Sequence, residues 1–130
     1  VSLDKKLIDA FDAFIEREQY QNRSEAIRDL IRETLIKKKR DDNGLVAGAV
    51  VMTYDHHRRD LAERLMHVQH DFQDSIISTQ HIHLDHDHCL EIIAVRGKAL
   101  DVENLASTLK AFAGVTHLSL SLSAYGVEEE

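Results

Sequence analysis

The chain is poor in cysteine, aromatics and long apolar runs, and each shortage excludes a class of protein. One cysteine in 130 residues rules out an intramolecular disulfide and fits a reducing compartment. Tryptophan is absent and aromatics make up 5%, against 43% hydrophobic residues, so any core must be aliphatic. No apolar run approaches the roughly 18–20 residues of a membrane span, and the start is not signal-like. A cytoplasmic protein is expected. There is no internal repeat, low-complexity segment, nucleophile elbow or phosphate loop, so no enzyme is expected. The chain opens at Val1 without a Met, so a few leading residues are expected to be missing. Glu128-Glu129-Glu130 reads as a frayed acidic tail.

Charge and histidine are unevenly placed. The net charge of −7 by itself argues against nucleic acid. Residues 1–40, however, hold ten Lys/Arg against eight Asp/Glu, and residues 41–130 hold six against fifteen. All nine histidines lie after residue 55. A mildly basic head on an acidic, histidine-rich body implies two modules with two tasks.

In the head, Asp4 is a candidate N-cap. Leu7, Ile8, Phe11, Phe14 and Ile15 recur at helical spacing and predict a helix ending near Glu18. Asn22 can cap a second helix, with Glu25 placed to complete a capping box. Ile27, Leu30, Ile31, Thr34 and Leu35 form its stripe. Lys37 to Arg40 suit its C-terminal dipole. Asp41-Asp42-Asn43-Gly44 is the clearest break and divides the chain into 1–42 and 43–130.

The body alternates strand and helix patterns: strand 45–53, helix 60–72, strands 75–84 and 90–95, a helix through Val102, Leu105, Leu109 and Phe112, a C-cap at Gly114, and strand 115–122. β-α-β-β-α-β is the ferredoxin-like split βαβ, so the fold class is α+β. Two helices cover one sheet face, and homo-oligomerisation is the simplest cover for the other.

Four histidines crowd into His81-Ile82-His83-Leu84-Asp85-His86-Asp87-His88, and Cys89 follows. His81 and His83 are two apart and share a face on a strand. Imidazole plus thiolate suits Ni, Cu or Zn rather than Mg or Ca. Hairpin parity constrains the set. The thiol joins the two imidazoles only if the loop is odd-numbered, for example with His83 opposite Cys89, or if Cys89 precedes the ladder. His70, near a helix end, is the best fourth ligand and can serve a partner chain. His56, His57 and His117 are expected to be surface or structural residues, and His86 and His88 turn residues.

Residues 2–40 resemble the ribbon-helix-helix DNA-binding module through Tyr20-Gln21-Asn22-Arg23-Ser24-Glu25-Ala26-Ile27-Arg28-Asp29. In that module paired strands read the major groove, and the second helix's N-terminus clamps a phosphate. Asn22, Arg23 and Ser24 match the clamp. Of the groove-facing strand residues only Ser2 is present. Gln19 stands where a glycine commonly ends the first helix, at a cost of about 1 kcal/mol if the left-handed turn is kept.

Head, body and the spacing His70…His81-x-His83-x5-Cys89 together resemble the nickel-responsive transcriptional regulator family. Tyr54, Arg58-Arg59-Asp60-Leu61, Gln69-His70 and His86-Asp87-His88-Cys89-Leu90-Glu91 also match its pattern. The resemblance spans essentially the whole chain and implies an ACT-like body. It further implies a homotetramer built as a dimer of dimers, bound to a palindromic operator, and repression of nickel uptake genes. One square-planar Ni²⁺ per chain is implied, held by His81, His83 and Cys89 with His70 of a neighbouring chain. Arg58 and Arg59 match positions that touch the DNA backbone. Glu25 and Asp29 match a second, weaker cation site between the domains. Alternatives left by the residues themselves are a Zn²⁺ or Cu²⁺ regulator, a metal-storage or metal-delivery protein, and, third, a metalloenzyme.

Overall fold

A computed structural model describes residues 2–123. The acidic tail expected at 128–130 lies outside the described residues. The chain forms two compact units, 1–35 and 36–130.

The first unit holds α1 (Lys5–Arg17) and most of α2 (Arg23–Asp41). Asp4 caps α1, its carboxylate accepting the Leu7 N–H at 2.8 Å. Asn22 Oδ1 accepts the Glu25 N–H at 2.9 Å and starts α2. Gln19 keeps the left-handed turn, with φ at 62°. Ser2 and Leu3 are exposed and outside any strand. No α1 residue is buried, and Leu7, Ile27, Leu30, Ile31 and Leu35 are exposed. Two amphipathic helices of this size cannot enclose a core alone.

The second unit contains β1 (Leu45–Asp55), α3 (Leu61–Asp71), a short 3-10 turn (Gln73–Ser75), β2 (Ile76–His83), β3 (His88–Lys98), α4 (Ala99–Lys110) and β4 (Val115–Ser123). The sheet is antiparallel in the order β2-β3-β1-β4, as expected for a ferredoxin-like α+β body. Val46, Val50, Met52 and Tyr54 of β1 and Cys89, Ile93 and Val95 of β3 meet Leu61, Leu65 and Val68 of α3 and Val102, Leu105 and Leu109 of α4. Burying each large side chain contributes roughly 1.5–3 kcal/mol, and Leu65→Ala would cost about 2–5 kcal/mol. On the opposite face Ala49, Val51, Leu90 and Ile92 are only half-buried.

Two expectations need correction. Strand β3 is longer than 90–95, because its ends pair with β1 all the way from Asp55↔His88 to Leu45↔Lys98. Gly114 is not the C-cap of α4. That position is Ala111, whose N–H donates to Ser107 O. Gly114 lies in the following loop at φ +99°, where an added Cβ would sit 2.4 Å from Arg58 Cδ. Glycine is there for close passage of an arginine as well as for its backbone angle.

Candidate metal centre and nucleic-acid interface

The β2–β3 hairpin resolves the parity question. His81 pairs with Glu91 and His83 with Cys89, so the intervening loop is odd and both imidazoles share the thiol's face. Asp85 builds that loop. Its carboxylate accepts the N–H groups of Asp87 (2.9 Å) and His88 (2.8 Å), and His88 Nδ1 lies 3.0 Å from it. Backbone N–H donation from Asp87 and the His88 ring hold Asp85 below the usual carboxylate range, and Asp85 in turn raises His88. His88 is thus engaged in the turn.

Tyr54, Cys89 and His83 form one row across β1, β3 and β2. Cys89 is fully buried, with Sγ 3.5 Å from His83 Nδ1. Burial, then the carboxylates of Glu91 and Asp85, push the thiol up. A metal taking the thiolate must therefore displace a firmly held proton. In the next row, His81 Nδ1 lies 3.2 Å from the Tyr54 hydroxyl and 3.5 Å from Glu91 Oε1. A carboxylate partner favours the proton on Nδ1 and leaves Nε2 free to bind a metal.

Glu91 is buried because it has partners. Gln69 Nε2 donates to its Oε2 at 3.1 Å, and Gln69 Oε1 accepts the Thr79 hydroxyl at 3.1 Å. These bonds tie α3 to both strands carrying the candidate ligands. His70, the next residue on α3, is exposed and beside a groove lined by Glu63, Met66, His67 and Phe112. Within one chain it joins no cluster of ligand atoms among the described residues.

The structure brings His56, expected to be a surface or structural residue, beside the thiol. One ligand atom each from His56, His83 and Cys89 lie within 4.8 Å of one another. His56 Nδ1 is buried without a hydrogen-bond partner among the described residues. Strand β1 runs to Asp55, two residues past the apolar run, and this delivers His56 beside the Cys89 row. The pairing of Tyr54 with Cys89 was the missing signal. An orphaned imidazole nitrogen beside a buried thiol and a second imidazole fits a late transition metal. His117 is exposed on β4.

In the first unit, Asn22 caps α2 through its Oδ1. Arg23 pairs with Asp12 through two bonds of 2.8 Å, while Ser24 is exposed. Tyr20 donates its hydroxyl to the Asp29 carboxylate, which pushes Tyr20 up to about 12. Glu25 and Asp29 are half-buried. Arg58 and Arg59 are exposed in the β1–α3 loop, just before Asp60 at φ 64°. No helix among the described residues is long and apolar enough to cross a membrane.

Residues 47–123 match the family described as NikR C terminal nickel binding domain, and residues 1–38 match the ribbon-helix-helix protein, copG family. The chain is 63% identical to a putative nickel-responsive regulator of Chlorobium phaeobacteroides, over 95% of this chain and 92% of that protein. It is 64% identical to one of Chlorobium limicola, over 97% and 94%, and 56% identical to one of Syntrophus aciditrophicus, over 97% and 92%. A solved structure of an uncharacterized protein from Thermotoga maritima is similar in fold, at a TM-score of 0.55 and 10% identity, over 60% of this chain and 96% of that one. The chain belongs to the nickel-responsive regulator family, whose members are transcriptional regulators rather than enzymes.

Proposed function

We propose that this protein is a cytoplasmic, nickel-dependent DNA-binding repressor, with nickel uptake genes as its targets. The observation that carries this reading is the register placing His83 opposite Cys89, with 3.5 Å between Nδ1 and Sγ. His81 sits on the same face, its Nδ1 oriented by Tyr54 and Glu91. His81, His83 and Cys89 supply three ligands, and His70 of a neighbouring chain supplies the fourth. Nickel, one ion per chain, supplies a strong cross-link between chains. The chain's own part is to hold the three donors on one face of the hairpin.

The exposure of His70 supports a ligand shared between chains. The half-buried sheet face supports association into a homotetramer, a dimer of dimers. Residues 1–42 act as the DNA-binding and dimerisation domain, and 43–130 as the metal-binding, ACT-like tetramerisation domain. Ser2 contacts bases, while Asn22, Arg23, Ser24, Arg58 and Arg59 meet the phosphate backbone of a palindromic operator. Glu25 and Asp29 form the second, weaker cation site. Gel shifts of the native promoter with apo and nickel-loaded protein, carrying its natural N-terminus, test this. Tight, salt-sensitive binding should appear only with nickel. Equal shifts in both states would leave a constitutive binder or a storage protein.

A further inference from the structure

Beside the Cys89 centre lies a second cluster of ligand-bearing side chains. His57, on the β1–α3 loop, meets His86 and Asp87 at the hairpin tip. One ligand atom of each lies within 4.8 Å of the others, and all three are exposed. His57 Nε2 is 3.1 Å from Asp87 Oδ1 and 3.0 Å from the His86 carbonyl oxygen. The His57 and His86 rings stand 5.2 Å apart.

The backbone around the cluster is fixed on both sides. The His57 N–H donates to Asp55 Oδ1 at 2.9 Å, and the His56 N–H donates to Asp87 O at 3.1 Å. On the hairpin side, the Asp87 N–H donates to Asp85 Oδ1. An ion pair between His57 and Asp87 accounts for two of the three side chains but not for His86. Donors on opposite sides of an ion with bonds of about 2.1 Å are about 4.2 Å apart. Small rotamer adjustments would therefore bring all three to one ion.

We propose that His57, His86 and Asp87 form a separate site for a divalent first-row cation such as Ni²⁺ or Zn²⁺, completed by water. Two imidazoles and a carboxylate make a harder donor set than the thiolate centre. Solvent exposure and water in the remaining positions make it the weaker site. It fills only when metal is in excess of the Cys89 centre. An ion here clips the β1–α3 loop to the hairpin, and that loop carries Arg58 and Arg59. This last consequence rests on the DNA-contact reading of those arginines, whereas the site itself does not.

Equilibrium dialysis of the intact protein against Ni²⁺ alone, followed by absorption spectroscopy, tests the site. The thiolate-to-nickel charge-transfer band reports the Cys89 centre. The new site adds bound nickel without adding to that band. A variant carrying both His57→Ala and His86→Ala should lose one bound nickel per chain and keep the band at full strength, which also shows that the body is folded. Asp87→Asn should weaken the same binding step by at least the roughly 10- to 100-fold that loss of an outer-shell partner costs. Wild-type protein that binds only the nickel reported by the band overturns the proposal. So does a double variant that keeps its extra nickel, which would place that ion on other surface histidines. Absence of the band in wild-type protein would instead count against the Cys89 centre.

Discussion

Gln69 donates its side-chain amide to Glu91 at 3.1 Å, joining the helix that carries His70 to the strand that carries Cys89. Glu91 also stands 3.5 Å from His81 Nδ1, so one buried carboxylate links a candidate ligand imidazole to the helix residue that precedes His70. Glu91→Gln keeps the shape but removes the negative charge beside His81 Nδ1. Nickel affinity should fall about 10- to 100-fold, as for other outer-shell partners, with the thermal midpoint little changed. Competition titration against a chelator measures this. Unchanged affinity would make Glu91 a structural residue only.

Removing the thiol should change the spectrum of the centre and not only its strength. Cys89→Ser should abolish the thiolate-to-nickel charge-transfer band, leaving residual nickel on nitrogen and oxygen donors. A mutant with the wild-type band would exclude Cys89 as a ligand.

If the neighbour's His70 completes the site, His70→Ala and Cys89→Ala chains should each fail alone and complement when mixed. Some interfaces of a mixed tetramer would pair an intact hairpin with an intact His70. Native mass spectrometry should find partial nickel occupancy in such tetramers. None, with mixing confirmed, would remove His70 from a shared site. Chelation should also loosen the assembly, because a metal bound only by the assembled state stabilises it by mass action.

Tyr20 should titrate well above an ordinary phenol, at about 12, because its proton is held by Asp29. Its folded pKa is raised, so this contribution to stability is present in full below pH 10. It is lost as pH rises from 10 through about 12. Asp29→Asn should bring the midpoint back towards 10, as read from the Tyr20 ring carbon by NMR. A cation bound at Glu25 and Asp29 should move it the same way, and a cation that leaves it unmoved does not bind Asp29.

Much of this was legible in the sequence, because period and punctuation act locally. The α1 and α2 stripes, the Asp4 and Asn22 caps and the βαββαβ order follow from spacing alone. The His81-x-His83 pair follows from strand alternation. His56 was hidden because its placement depends on β1 pairing as far as Asp55↔His88, a tertiary fact. The hairpin's odd loop depends on how the Asp85 carboxylate gathers two N–H groups, and periodicity does not encode that choice. Gly114 reads locally as a helix stop, whereas its role is to let Arg58 pass from a loop over fifty residues earlier.

The central claim is that metal at the Cys89 centre gates DNA binding. Fluorescence anisotropy of a labelled operator duplex tests it most directly, with apo, nickel-loaded and Cys89→Ser protein compared at one salt concentration. The nickel-loaded wild type should bind tightly and specifically. Apo protein and nickel-treated Cys89→Ser should show only weak binding that does not distinguish operator from unrelated DNA. Apo protein that binds the operator as tightly as nickel-loaded protein would contradict the account.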